Sequence, residues 1–517
     1  MSLVPTIRMM NKFCTVLIDI ERSGIHIDTE ALDALDIEYE IRYNTLKNSL
    51  DKLAREAMGD RPINLNSPEQ MSMLVYSRKV KDKHAWAECF NIGTTKHGAV
   101  RRPKKITMYP ITQFRQKIRE LTDILYKQVA AQCNSCRGSG IGETKRKDGT
   151  PRKTHSNCHS CGGSGILYTT TKEIAGFKFN PRSAVYVKAG GFATNREIFK
   201  ELLPYAKKEE GRKFLTEMVE FNAISTYRNT HIDGLRKALK GDELIHQNFM
   251  QAVTATGRLA STAPNLHNLP RGSSGFPIRK VFSSRWQGGK IVKGDYAQLE
   301  FRAAVELAQD EQGMKDIEEG VDVHNYTART ISDAGQPIDR QQAKAHTFKP
   351  LYRGTSGTKA ERTYYESFKE KYIGITKIHN EWLSQAISRQ PVVLPSGREY
   401  SFPGAKRYPS GYVSGETQIC NYPVQGFATA DIVPIATIAV WERLRQYRST
   451  IVNEVHDEIV IDCHPDEVDI IPQLLYDGMM SVPELLKEWY DYELKVPLNV
   501  EIGIGPNWLE YETWEPS

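Results

Sequence analysis

The stretch Ile291-Val-Lys-Gly-Asp-Tyr-Ala-Gln-Leu-Glu-Phe-Arg302 reads as an apolar strand that ends at an acid and passes into a helix. Asp295 therefore projects from a rigid strand end. A second stretch, Ile451-Val-Asn-Glu-Val-His-Asp-Glu-Ile-Val-Ile-Asp462, has two β-rich runs around a His-Asp-Glu centre, the pattern of a hairpin with Asp457 and Glu458 at its tip. Metal ions can be clamped between two such elements. Phosphoryl transfer needs little covalent help from a protein, but two Mg²⁺ ions about 3.5–4 Å apart activate the attacking oxygen and stabilise the leaving one. Such ions require hard oxygen ligands. Either segment alone also suits an ordinary turn or strand-end acid; the two together argue for a metal site.

Between the acids lies Asp339-Arg-Gln-Gln-Ala-Lys-Ala-His-Thr-Phe-Lys-Pro-Leu-Tyr-Arg-Gly354, where Arg340, Lys344, Phe348 and Tyr352 recur every fourth residue. On a helix, successive members drift only about 40°. Arg340 and Lys344 can face a triphosphate together, Arg as a planar fork and Lys as a compact charge, while Phe348 offers a ring to a base. His324 is a further candidate phosphate contact. Spacing alone favours a solvated basic face with an aromatic core stripe; only the flanking acids reverse that.

The chain has 517 residues, 40% hydrophobic and 26% charged, enough to bury a substantial core and to divide into subdomains. Its net charge of +6 suits a polyanionic partner without identifying one. Apolar stretches such as 432–441 fall short of the roughly 20 residues a bilayer crossing needs, so no membrane span is expected. The start lacks the pattern of a secretory signal, and a cytoplasmic setting, that of a host cell if the source is viral, is expected.

Leu3 to Met73 reads as helix, strand and helix, with Ser67 capping a helix begun by Pro68. From 79 to 173 the composition shifts to Lys, Arg, Gly, Thr and Cys, with basic groups at Arg101-Arg102, Lys104-Lys105, Lys145-Arg146-Lys147 and Arg152-Lys153, and this span reads as an insertion. Two long helices are expected between Asn195 and Leu239, with Leu202, Leu203, Phe214, Met218, Phe221 and Ile224 on a packed face. The second half is mixed α/β.

Four of the eight cysteines form two matching knuckles, Cys133-x2-Cys136-x-Gly138-x-Gly140 and Cys158-x2-Cys161-Gly-Gly-Ser-Gly165. Four thiolates at this spacing suit a tetrahedral structural Zn²⁺ in a reducing compartment, and the glycines permit the tight turns around it. The knuckles resemble the cysteine-rich repeats of Hsp40-type chaperones. The flanking Lys and Arg suit a hold on duplex DNA or a processivity partner, and the module suits a purely architectural clip nearly as well.

Taken together, the motifs resemble those of family A DNA polymerases, the class of bacterial DNA polymerase I and many bacteriophage replicative enzymes. Asp295-Tyr-Ala-Gln-Leu-Glu-Phe-Arg302 is similar to motif A, Arg340-x3-Lys344-x3-Phe348-x3-Tyr352 to motif B and Val455-His-Asp-Glu458 to motif C, in the family's order and spacing. Thr254 to Pro270 resembles the family's primer-contacting segment, Asn421-Tyr-Pro-Val-Gln425 its duplex-contacting helix, and Gly505-Pro-Asn-Trp508 its closing motif.

The resemblance implies a right hand of mixed α/β fold. Residues 1–240 would hold the N-terminal segment and thumb, interrupted by the zinc-binding insertion at 79–173. The palm would comprise 241–311 and 415–517, and the fingers 312–414. It implies a polymerase that adds dNTPs to a primer with two Mg²⁺ ions. Asp295, Asp457 and Glu458 would be catalytic, with the two aspartates holding the metals and Tyr296 contributing its carbonyl. The nucleotide would meet Gln298, Glu300, His324, Arg340, Lys344, Phe348 and Tyr352. Primer-template DNA would meet Arg258, Asn268, Asn421, Gln425 and His456. Glu300 resembles the residue that obstructs a 2′-hydroxyl, which favours dNTPs and opposes the rival reading of a single-subunit RNA polymerase. The intact Asp295, Asp457, Arg340 and Lys344 oppose a silent DNA-binding scaffold.

Two departures stand out. Lys349-Pro350 and Arg353 occupy positions where the family often has glycine, and Pro350 is expected to bend the helix before Tyr352. Glu454 is an acid where the bacterial enzymes carry a polar amide. The chain begins at a segment resembling the start of the thumb, so proofreading in cis is not expected; a separate exonuclease chain or other replisome proteins would then be partners, in a replicative, phage-type setting.

Overall fold

The computed structural model describes residues 4–92, 106–142, 156–270 and 275–516. The basic groups at 101–105 and 145–153 lie outside them. The described chain divides into two compact units, one of residues 1–35 with 231–517 and one of residues 36–230.

The first unit is built on a five-stranded antiparallel sheet in the order Thr450–Val455, Glu458–Cys463, Lys290–Tyr296, Val500–Gly505 and Glu512–Trp514. Alternation along the Lys290–Tyr296 strand sorts its side chains. Val292, Gly294 and Tyr296 are buried toward the helix Ile471–Met480, where the Tyr296 hydroxyl donates to the Met479 carbonyl at 2.7 Å. A Cβ on Gly294 would come within 2.5 Å of the Met479 sulfur and 3.2 Å of a Leu475 methyl, so the glycine leaves room for these helix side chains. Lys293 and Asp295 are left on the opposite face, as the pleat requires.

Helices Val4–Ser23 and Val433–Leu444 pack against the same sheet. One helical run, Glu416–Leu444, is long and apolar enough to cross a membrane by length and composition, but 89% of its apolar window is buried in the protein, as in a core helix. It is longer than the 432–441 stretch because it continues through a π-helical turn, Phe427–Ile432, into the helix Glu416–Gly426.

The second unit has its own core, in which Leu50, Met71, Trp86, Phe90, Phe114, Phe199, Phe214 and Phe221 are buried. Trp86, Phe90 and Phe114 belong to the compositionally distinct 79–173 span, so part of that span is core. The part that carries the cysteines is an antiparallel hairpin of Tyr126–Gln132 and Ile166–Ile174. Ser67 caps the helix Pro68–Tyr76 as expected, accepting from the Gln70 amide.

The expected pair of long helices after Asn195 is corrected. The first, Arg196–Leu202, spans only seven residues and passes into a 3-10 turn, Leu203–Tyr205, because Pro204 supplies no backbone donor. The second, Glu209–Thr226, buries Phe214, Met218, Phe221 and Ile224.

Candidate active site

Asp295 and Asp457 come together at neighbouring strand ends. Asp295 pairs across the ladder with Glu458, and the Tyr296 amide donates to the Asp457 carbonyl at 3.3 Å. Asp457 occupies the two-residue turn of the hairpin with His456, whose φ of 62° lies in the left-handed region. The acids are set by backbone pairing, which holds them more firmly than a loop would. Both are half-buried, and their carboxylates are the hard oxygen donors that Mg²⁺ takes. Tyr296 itself is buried, its side chain facing away from Asp295.

Glu458 behaves differently from its neighbours. Its carboxylate accepts from Arg279 at 3.2 Å, Lys293 at 3.1 Å and the Trp508 indole at 2.7 Å. Burial disfavours the Lys293 ammonium, but Glu458 and Tyr511 outweigh it and raise its pKa. With three donors Glu458 is held in place, which fits a positioning residue better than the catalytic role expected from motif C.

The helix predicted across 340–352 is broken. It spans Arg340–Thr347, begun by a capping box of Asp339 and Gln342, and a separate 3-10 turn, Pro350–Tyr352, follows. Pro350 cannot continue the backbone ladder, and Arg353 reverses the chain at φ 60°. Arg340 and Lys344 stay exposed on the helix, while Phe348 is half-buried.

Two residues unremarked in the sequence support this element. Asp322 caps the helix Val323–Asp333 and accepts from the Arg340 guanidinium at 2.6 Å. Burial raises the Asp322 pKa, but Arg340 and the capping amides more than offset this and leave it lowered. Thr347 lies 3.0 Å from His324 Nδ1. His324 is buried edge-on to Phe348, and burial lowers its pKa, favouring the neutral ring.

Glu300, on the helix Leu299–Ala308 that follows Asp295, accepts from both Arg258 and the Tyr352 hydroxyl. Gln298 precedes that helix in the left-handed region at φ 55°. Arg258 also donates to Thr429 at 3.3 Å, and Thr429 donates to the Gln425 carbonyl at 2.7 Å. Asn421 and Gln425, four apart on one helix, lie on the same face. Thr429 sits in the π-helical turn, a feature with no residue-type signature in the sequence. The Arg258 turn is further braced by Tyr400, which donates to the Thr256 carbonyl at 2.7 Å. The His456 ring stands 5.9 Å from that of His267, a buried histidine whose pKa burial lowers to about 4. Asn268, beside His267, is exposed.

In the other unit, the four cysteines of the hairpin form one cluster. Cys133 and Cys158 sulfurs are 3.9 Å apart, Cys136 and Cys161 sulfurs 3.7 Å, and all four lie within 4.8 Å of one another. A tetrahedron with Zn–S bonds of about 2.3 Å has edges of about 3.8 Å, so the donor set fits zinc. The knuckles lock together through glycines: a Cβ on Gly140 would lie 2.2 Å from the Gly163 carbonyl oxygen. Burial raises the Cys161 thiol pKa, but the amides of Gly165 and Gly163 and the neighbouring thiols prevail and bring it to about 6.

The first unit thus carries two acids at adjoining strand ends of a five-stranded antiparallel sheet and, in the same unit, the basic helix Arg340–Thr347. Residues 157–510 match the model of DNA polymerase family A, and the chain belongs to that family. It is 28% identical over 374 residues to DNA polymerase I of Streptococcus pneumoniae, covering 65% of this chain and 41% of that protein. It is 29% identical over 342 residues to the thermostable DNA polymerase I of Thermus aquaticus, covering 62% and 39%. The chain thus spans about two-fifths of the length of these curated relatives. The fold is similar to the POL domain of Pol1 from M. smegmatis in complex with DNA primer-template and dNTP, with a TM-score of 0.65 at 21% identity, covering 97% of this chain and 70% of that one.

Proposed function

We propose that this chain is a template-directed DNA polymerase that adds dNTPs to a primer 3′ end. The observation that carries the reading is the meeting of Asp295 and Asp457 at adjoining strand ends in a member of DNA polymerase family A. Asp295, Asp457 and the Tyr296 carbonyl would hold two Mg²⁺ ions. When bound, such ions activate the primer 3′ oxygen and stabilise the departing pyrophosphate.

The chain's own residues bind and orient. Arg340 and Lys344 take the triphosphate, with Asp322 keeping the Arg340 fork extended. Phe348 and Tyr352 border the base, and Glu300 lies under the sugar. Arg258, Gln425, Asn421, Asn268 and His456 line the primer-template path. Glu458 is assigned to positioning, because three donors hold its carboxylate. In the terms of a right hand, the sheet belongs to the palm and the Arg340 helix to the fingers. The cysteine cluster would hold one structural Zn²⁺ through Cys133, Cys136, Cys158 and Cys161. A replicative, phage-type role rests on the inserted cysteine-rich hairpin.

Primer extension with Mg²⁺ tests the reading. Wild type should extend a primed template with dNTPs, and Asp457→Ala should lose on the order of 10³-fold or more in rate, because a ligand for developing charge is removed. Failure of wild type to extend would sink the proposal.

A further inference from the structure

The unit of residues 36–230 contains a groove that no polymerase role above uses. It encloses about 1280 Å³ between the stem of the cysteine hairpin, helix Ile111–Leu121, residues 176–182 and the start of helix Glu209–Thr226. Its lining carries seven cationic and three acidic side chains, a surplus of four positive charges. One acid, Glu173, is already paired with Lys127 at 3.0 Å. Arg115, Lys172, Lys178, Arg182, Lys207 and Lys208 are all exposed. Cations gathered around a concavity repel one another unless a polyanion neutralises them.

The groove also presents ring faces. Tyr205 is 53% exposed, and the Arg182 guanidinium lies 3.9 Å from its ring centroid. A planar cation stacked on an exposed ring is a platform that a nucleobase extends. Phe177, also in the lining, is stacked on Phe214 at 4.5 Å, which anchors that wall to the unit's core. The stacking platform selects the form of the ligand: a duplex hides its base faces, and an acidic peptide would leave the Tyr205–Arg182 platform unused.

We infer that this groove binds single-stranded nucleic acid, with the phosphates along the cations and a base stacked on the Tyr205–Arg182 pair. The inference stands apart from the polymerase reading. A strand would bind here whether or not Asp295 and Asp457 extend a primer, and that reading makes DNA the natural strand.

The test measures anisotropy of a fluorescein-labelled oligo-dT on the full chain, with an excess of unlabelled hairpin primer-template, its template overhang cut to a single nucleotide, occupying the polymerase cleft. Wild type should bind the labelled strand. Lys207→Glu with Lys208→Glu should weaken binding by about tenfold or more and flatten the salt dependence by about 0.7 in log–log slope for each phosphate that is no longer neutralised. Tyr205→Ala should weaken it by about fivefold or more and leave the slope unchanged. Both variants should extend the hairpin at the wild-type rate. Thermal melting checks their folding, and Lys207→Gln with Lys208→Gln replaces the double charge reversal if that variant is unstable. Unchanged binding by the folded variants overturns the inference. So does equal competition by blunt duplex, or by poly-glutamate with no effect of Tyr205→Ala. Lack of extension by wild type would instead count against the polymerase reading and leave the strand measurement intact.

Discussion

Glu300 accepts hydrogen bonds from Arg258 and Tyr352, residues 42 and 52 positions away in sequence. Such a carboxylate is held rigidly, and in the proposed place under the sugar it would obstruct an added 2′-hydroxyl. Glu300→Ala should raise the ratio of rNTP to dNTP insertion efficiency by roughly 10- to 200-fold, read from single-nucleotide kcat/KM values. An unchanged ratio would remove Glu300 from the sugar gate. Glu454, two residues before His456, poses a different problem. It is 2% exposed and bonded to Thr437 at 2.5 Å, and burial raises its pKa from 4.5 to about 7. The folded chain therefore keeps a proton that the unfolded chain releases between those values, so this group's contribution to stability falls as pH rises from about 4.5 to about 7. The shift corresponds to about 3 kcal/mol at pH 8. Glu454→Gln should accordingly raise Tm at pH 8 and lose that advantage near pH 4.5, by thermal melts at the two pH values. An amide at this position escapes the cost because it carries no charge to bury.

At the scale of elements, the 340–352 segment shows how one residue divides a pattern. The four-residue spacing of Arg340, Lys344, Phe348 and Tyr352 was legible, and so was the effect of Pro350. That Tyr352 still reaches Glu300 from beyond the break was not, because the contact depends on where another helix lies. The cysteine hairpin was legible for a different reason. Metal-ligand spacing is local, and each knuckle carries its own glycines. Atomic absorption of the wild type should find one zinc per chain, and Cys158→Ser should lose it and expose the hairpin to limited proteolysis near residues 133–165, while extension of a short hairpin template persists, since all the proposed polymerase residues lie in the other unit. Zinc bound equally by the variant would contradict the assignment. Glu458 illustrates the limit of a motif: its place beside Asp457 is sequence, whereas its three donors come from Arg279, Lys293 and Trp508 on separate segments.

At the scale of the molecule, each unit has its own buried core. Met9 to Ile502 supply one from the first unit, and Leu50 to Phe221 supply the other. Unfolding should therefore depart from a single two-state transition. Phe214, fully buried in the second core, is a probe: Phe214→Ala should destabilise that unit by about 3–5 kcal/mol, lowering one calorimetric transition while leaving the other in place. A uniform shift of a single peak would show the cores to be coupled. What the sequence determined by itself were properties carried by neighbours in the chain. These are the strand that ends at Asp295, the hairpin that turns at Asp457, the basic helical spacing from Arg340 and the paired cysteine knuckles, all governed by backbone preference and short-range spacing. The tertiary structure alone decided which distant groups share a site: Thr429 and Tyr400 behind Arg258, Asp322 beside Arg340, and the basic groove beside Tyr205. Those contacts follow from the packing of elements far apart in the chain, and residue type and local spacing carry no record of that packing.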